Sequence, residues 1–253
     1  MAQPVVMITG AGRGVGRALA RRFAAEGYLV GVTGRSAAPL QDAAAEIGPA
    51  ALPVVCDVSR REDVARAVGA VESGLGPVDV LVNNAGTAGS APFATMPDDL
   101  WDRVLAVNLT GTYLCMRAVL PGMLSRGAGR IVNIASTAGK TGFAYTSAYC
   151  AAKHAVLGLT RAVALEVAGQ GVTVNALCPG WLDTDMTQAS IARIAETTGR
   201  SAAEARAVLE RMNPQGRLIS PEEVAAAAAF LASPAARGIN GQAWNVDGGE
   251  VMG

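Results

Sequence analysis

Short apolar runs and helix-spaced segments alternate from one end of this chain to the other, and that alternation restricts the fold more than any other feature. "PVVMITG" is an apolar run stopped by glycine, the pattern of a strand buried on both faces. "GVGRALARRFAAEG" follows, with apolar residues at helical spacing and Gly27 as its stop. Further strands are predicted at "YLVGVTG", "ALPVVCDV", "VDVLVNNAG", "GRIVNIAS", "GVTVNALCPG" and "GQAWNVDGG". Helices are predicted at "LQDAAAEIG", "REDVARAVGAVES", "DDLWDRVLAVNLTGTYLCMRAVLPGML", "SAYCAAKHAVLGLTRAVALEVAG" and "SPEEVAAAAAFLAS". In the last of these Ser220 reads as the N-cap and Pro221 as the first helical residue. Such repetition implies a doubly wound α/β fold of about seven parallel strands with helices on both faces. No linker, repeat or low-complexity tract interrupts the 253 residues, which implies one domain over 1–253. The segment at about 184–217 breaks the alternation. It holds two helical pieces, "SIARIAETTG" and "SAAEARAVLERM", with no strand between them, an insertion of the kind that forms a substrate lid.

Half of the residues are apolar (51%), enough for a full core, and the formal net charge is +0, so no basic surplus points to nucleic acid. "MAQPVV" enters the first strand without a signal-peptide pattern, and the apolar stretch "VAAAAAFLA" is too short for a bilayer. A cytoplasmic protein without a membrane partner is expected. Cys56, Cys115, Cys150 and Cys178 are widely spaced and only one histidine, His154, accompanies them. Free thiols and no metal site are expected.

The first turn is glycine-rich. A strand that turns tightly into a helix needs glycine where φ is positive, and again where backbone must approach a bound pyrophosphate. The helix N-terminus then offers unpaired N–H groups and a partial positive charge. Gly10, Gly14 and Gly16 are placed for these duties, although a glycine cluster alone is also compatible with a plain structural turn.

The spacing is T-G-x-x-x-G-x-G, on Thr9, Gly10, Gly14 and Gly16. With "NNAG" at Asn83 to Gly86, Asn108 in the long helix, Ser136 after the fifth strand, "YCAAK" from Tyr149 to Lys153, and "PG" at Pro179 and Gly180, the whole chain resembles the short-chain dehydrogenase/reductase family. The resemblance implies a single Rossmann-type sheet, a nicotinamide dinucleotide and usually a homotetramer. It also implies cofactor contacts in the glycine loop (Gly10, Gly12, Arg13, Gly14, Val15, Gly16), at Asp57 and Val58, at Asn83, Ala85 and Gly86, and at Pro179, Gly180, Leu182 and Thr184. Asn83 is expected mainly to brace neighbouring strands.

Cofactor choice follows from charge. Where NAD-specific relatives carry an acid for the ribose hydroxyls, this chain has Gly34, followed by Arg35 and Ser36. A guanidinium grips a 2′-phosphate in a bidentate way, and Arg13 adds a second cation. NADP(H) is therefore expected.

Tyr149 and Lys153 share one helix face at i, i+4 spacing. A free phenol titrates near 10 and is a weak acid–base catalyst at neutrality, so the adjacent ammonium is expected to lower its pKa. By resemblance, Lys153 also holds the nicotinamide ribose, Ser136 holds the substrate oxygen, and Asn108 fixes a water in a proton relay. Tyr149 then protonates the alkoxide formed on carbonyl reduction. His154 lies about 100° around the helix from Lys153 and points elsewhere. Trp181 is a candidate for the substrate wall or for lid core.

The phrases "NIASTAGKTG" and "VTVNALCPGWLDTDM" are similar to those of bacterial 3-oxoacyl-thioester reductases and aromatic-polyketide ketoreductases. The insertion with its "PGW" is similar to that of 3-hydroxybutyrate dehydrogenases. Those place a histidine two residues after the catalytic serine, where this chain has Ala138. The expected activity is NADP(H)-dependent interconversion of a ketone, foremost a 3-oxoacyl thioester, with a secondary alcohol. Small, cyclic or aromatic ketones are the alternative, and a non-catalytic nucleotide sensor or scaffold is a distant one.

Overall fold

The computed structural model describes residues 3–252. Its strands are β1 (Val5–Thr9), β2 (Leu29–Gly34), β3 (Ala51–Val55), β4 (Val78–Asn83), β5 (Gly129–Ile134), β6 (Val172–Pro179) and β7 (Ala243–Val246). Between them run α1 (Gly14–Ala25), α2 (Ala37–Ile47), α3 (Arg61–Leu75), α4 (Asp98–Leu105), α5 (Gly111–Arg126) and α6 (Ser147–Val167). The helices α7 (Asp185–Thr198), α8 (Ala202–Met212) and α9 (Pro221–Ala232) lie between β6 and β7. All seven strands form one parallel sheet in the order β3-β2-β1-β4-β5-β6-β7. The winding reverses between β1 and β4, which opens a crevice at the strand C-terminal ends.

Strand periodicity divides the core. On β1, Val6 and Ile8 pack with Leu19 and Phe23 of α1, Leu40 of α2 and Val224 of α9. Val5 and Met7 point to the other face and pack with Val64 and Val71 of α3 and with Cys115 and Met123 of α5. Burying both faces is why β1 and β4 read as nearly continuous apolar runs rather than alternating ones. The cap expected on α9 is present. The Ser220 hydroxyl accepts from the Glu223 N–H and the Glu223 side chain accepts from the Ser220 N–H. Cys56, Cys115 and Cys178 are buried, Cys150 is half-buried, and all four are free thiols.

Two boundaries differ from expectation. The long helix predicted over 98–124 is broken by one π turn at Ala106–Thr110, with Asn108 at its centre. The whole stretch Asp98–Arg126 is long and apolar enough to cross a membrane, yet Leu114, Cys115, Val119 and Met123 are buried against the sheet. The first helix of the insertion starts at Asp185, ahead of the apolar pattern that marked it. Its polar first turn carried no periodic signal. Ile191, Ala205, Leu209 and Leu218 form a small core of their own, with Trp181, Ile194 and Met212 packed around it.

Candidate active site

The glycine loop is built by close approach. Gly10 has φ +67, and a Cβ on Gly16 would lie 2.1 Å from the Gly10 carbonyl oxygen, so α1 can start where it does only with glycine there. Ala11 N–H donates to the Thr33 carbonyl (2.9 Å), and Gly12 packs on Pro39, which brings the loop beside Arg35 and Ser36 at the end of β2. Gly14 faces Thr184 from the lid side, 3.5 Å from the place a Cβ would take. The N-terminus of α1 has no side-chain cap and no acid in its first turn. Backbone N–H groups at this terminus, with the dipole behind them and no side chain across them, suit a pyrophosphate. The residues present thus fit a dinucleotide.

Charge is arranged to match. Arg13 and Arg35 are exposed and have no carboxylate partner among the described residues, whereas nearby Arg17 is held by Glu46 and Arg21 by Glu222. The Ser36 hydroxyl makes no cap bond to α2 although it stands at the N-cap. Asp57 accepts from the Ser59 N–H (3.0 Å) and hydroxyl (2.7 Å), which fixes the turn after β3, and Val58 is buried against Gly111.

Within "NNAG" the two asparagines divide the work. The Asn83 side chain braces the sheet, donating to Asn133 (2.9 Å), and Asn133 donates on to Thr160. Asn84, which motif reading passed over, donates to the carbonyls of Thr9 (2.9 Å) and Gly10 (3.2 Å). The Thr9 hydroxyl in turn accepts from the N–H groups of Asn84 and Ala85. These four bonds lock the crevice between β1 and β4. Only the side chain's reach across two strands reveals this, and sequence spacing carries no sign of it.

Four candidates for the chemistry come together beside that crevice. Ser136 follows β5 with extended backbone and caps a short turn at Thr137–Gly139, its oxygen accepting from Ala138 N–H (3.1 Å). Gly139 packs against the Lys153 backbone, which sets this turn on α6. Lys153 is 5% exposed, donates to the Ile134 carbonyl at 2.8 Å, and lies 5.6 Å from the centroid of the Tyr149 ring. Asn108 is buried in the π turn, where its amide donates to the carbonyls of Thr87 (2.8 Å) and Val104 (2.9 Å). Gly86 joins the two halves, since a Cβ there would sit 2.9 Å from Asn108 Oδ1 and 4.0 Å from Lys153 Nζ.

The protonation states differ from the simplest expectation. Burial pushes the Tyr149 phenol up, opposed by its hydrogen bond with Ser136. The ammonium lies over the ring and is bonded to a carbonyl, and the net direction at the phenol is upward because burial outweighs the groups that favour its charged form. Lys153 is itself pushed down to about 8 by burial. Tyr149 is therefore a neutral acid at pH 7, ready to give a proton. His154 is exposed, its Nδ1 2.9 Å from the Cys150 carbonyl, and stands apart from the site. Trp181 packs on the lid core, Leu182 pairs with Ile219, and Pro179 pairs with Val246 at the end of the sheet.

A family model described as Enoyl-(Acyl carrier protein) reductase matches residues 10–250. The chain belongs to the short-chain dehydrogenase/reductase family. This dehydrogenase/reductase superposes on a single-residue tryptophan variant of the actinorhodin polyketide ketoreductase with NADPH at a TM-score of 0.95, with 42% identity over 99% of each chain. A 3-ketoacyl-(acyl-carrier-protein) reductase from Brucella melitensis, complexed with NADH, gives 0.89 and 36% over 99% of each. The D-beta-hydroxybutyrate dehydrogenase of Cupriavidus necator is 40% identical over 253 residues, 97% of this chain and 96% of the relative. As a member of this family the chain is an oxidoreductase acting on CH–OH groups.

Proposed function

We propose that this chain reduces a 3-oxoacyl thioester or a related ketone to a secondary alcohol with NADP(H), as a cytoplasmic homotetramer. The observation that carries the reduction is the contact of Ser136 with a neutral Tyr149, with the Lys153 ammonium over the phenol ring. The cations at Arg13 and Arg35, which have no carboxylate partner among the described residues, with Gly34 in place of an acid, support the phosphorylated cofactor.

Gly10 to Gly16, Asp57, Ala85, Gly86 and Thr184 would hold the dinucleotide. When bound, its nicotinamide supplies the hydride in reduction and accepts it in oxidation. The chain's own residues handle the oxygen. Ser136 and Tyr149 present two hydroxyls that can hold a carbonyl oxygen between them, and Tyr149 gives its proton to that oxygen as negative charge builds. Lys153 then faces a tyrosinate, which its ammonium stabilises most in that state. Asn108 holds the π turn against Thr87 and leaves this corner fixed.

Loss of nicotinamide absorbance from NADPH, with purified protein and a panel of 3-oxoacyl thioesters, cyclic ketones and aryl ketones, tests the proposal. No consumption with any of them ends it. The hydroxybutyrate dehydrogenase relative favours a second reading, a small free 3-hydroxy acid. Against it, Ala138 is buried and offers no charge or hydrogen-bonding side chain to a carboxylate.

A further inference from the structure

After β7 the chain folds back on itself. Asp247 is 4% exposed and accepts from the N–H groups of Gly249 (3.0 Å) and Val251 (2.9 Å), which knots the segment that follows. The knot sets Glu250 against the "PG" turn, where a Cβ on Gly180 would lie 2.6 Å from Glu250 Oε2 and 3.0 Å from the Asp247 Cβ. Both Glu250 oxygens are shielded from solvent and have no hydrogen-bond partner among the described residues. Such a group carries the full cost of its lost hydration until something donates to it.

That carboxyl borders a cavity of about 480 Å³. Its other walls are Thr141 and Phe143, from the loop joining Ser136 to Tyr149, Met212 at the end of α8, and Met252 from the tail. The cavity therefore lies between the loop that leads from Ser136 to the start of α6 and the end of α8 in the proposed lid, and its size suits a small-molecule site. Burial and the charge of Asp247 push Glu250 up to about 7, so acid and carboxylate coexist near neutrality. Two cations adjoin the cavity walls along the chain, Lys140 before Thr141 and exposed Arg211 before Met212, and neither donates a hydrogen bond to this carboxyl.

We infer that Glu250 is a specificity-determining residue at the distal wall of the substrate cavity, where it favours an uncharged ketone bearing a hydroxyl or other hydrogen-bond donor and turns away one bearing its own carboxylate. A donor supplies the partner the buried oxygens lack. A substrate carboxylate would meet a second carboxylate with a third, Asp247, behind it. The chain thus discriminates by repulsion as well as by the absence of a counter-charge at Ala138.

The inference rests on the ketoreductase reading, and one comparison separates the two. Acetoacetate and its neutral N-acetylcysteamine thioester share the reacting ketone and differ in charge. The wild-type enzyme is expected to prefer the thioester, and Glu250→Gln, which keeps the shape and removes the charge, is expected to narrow the kcat/KM ratio by about tenfold, the effect of roughly 1.4 kcal/mol. Binding of each compound to the protein with NADP⁺, read by quenching of tryptophan fluorescence, gives the same ratio without turnover. Trp181, which packs with Met212 around the small core of α7 and α8, is one of the three tryptophans that report. A narrowed binding ratio without turnover of either compound supports Glu250 and overturns ketone reduction. An unchanged ratio in both measurements, with a folded variant, overturns Glu250.

Discussion

The Lys153 ammonium lies over the Tyr149 ring, 5.6 Å from its centroid, and donates to the Ile134 carbonyl at 2.8 Å. A helix places the two side chains on one face, but the strand beneath decides where the lysine reaches. Its buried charge is held by one carbonyl and a π face, and its pKa of about 8 records that cost.

Tyr149→Phe removes one hydroxyl and keeps the ring. Folding and NADPH affinity are expected to survive, and turnover is expected to fall by ~10²–10⁴. Steady-state rates with tight control of active-site concentration check this. Normal turnover in the variant would place the proton donor elsewhere.

Lys153 sets a pH limit and a stability trade-off. Reduction is expected to decline as pH rises through about 8, where the buried ammonium loses its proton, and kcat/KM against pH would show the limb. The sign for stability is opposite to that of an ion-paired lysine. The folded value lies below the unfolded value of roughly 10.4. The unfolded chain therefore binds more protons between about 8 and that value, and this group's contribution to stability rises with pH across that window. Lys153→Met at pH 7 is expected to abolish turnover without lowering Tm. A clear drop in Tm in a thermal melt would contradict the assigned cost.

Arg35→Ala removes an exposed cation that no carboxylate neutralises among the described residues. A charge-assisted contact is worth roughly 1.5–3 kcal/mol, so NADPH affinity is expected to fall about tenfold to a hundredfold while NADH affinity holds. Titration of both cofactors measures the gap. Equal binding of the two by the wild-type protein would remove the basis for NADP(H).

Asn84→Ala breaks two bonds that tie β4 to the glycine loop. Stability is expected to drop by about 1–3 kcal/mol, since the Thr9 and Gly10 carbonyls lose a donor, and cofactor affinity is expected to fall with it. Chemical denaturation with and without NADPH separates the two effects. Unchanged cofactor affinity would mean that the loop holds its shape without the clamp.

The lid can be loosened from inside. Leu209 is 3% exposed within the small core of α7 and α8, so Leu209→Ala leaves a void there rather than altering a surface. KM for the ketone is expected to rise several-fold while NADPH affinity stays nearly constant. If the variant instead dissociates into smaller oligomers on light scattering with KM unchanged, the segment is an interface and not a lid.

Much of this was decided locally and could be read from the chain. Apolar runs set the central strands such as β1, β4 and β6, because a strand buried on both faces needs apolar residues on both. The cap at Ser220 and the glycine turn at Gly10 to Gly16 involve residues within a few positions of each other, where spacing is geometry. Tertiary structure decided the rest. Asn84 rather than Asn83 clamps the crevice, the π turn displaces Asn108 from an ordinary helix, and burial raises Tyr149 while lowering Lys153. Glu250, far along the chain from the "PG" turn, comes to lie against Gly180. Each of these depends on desolvation and on contacts between residues far apart in the chain, and neither quantity exists until the sheet has closed over them.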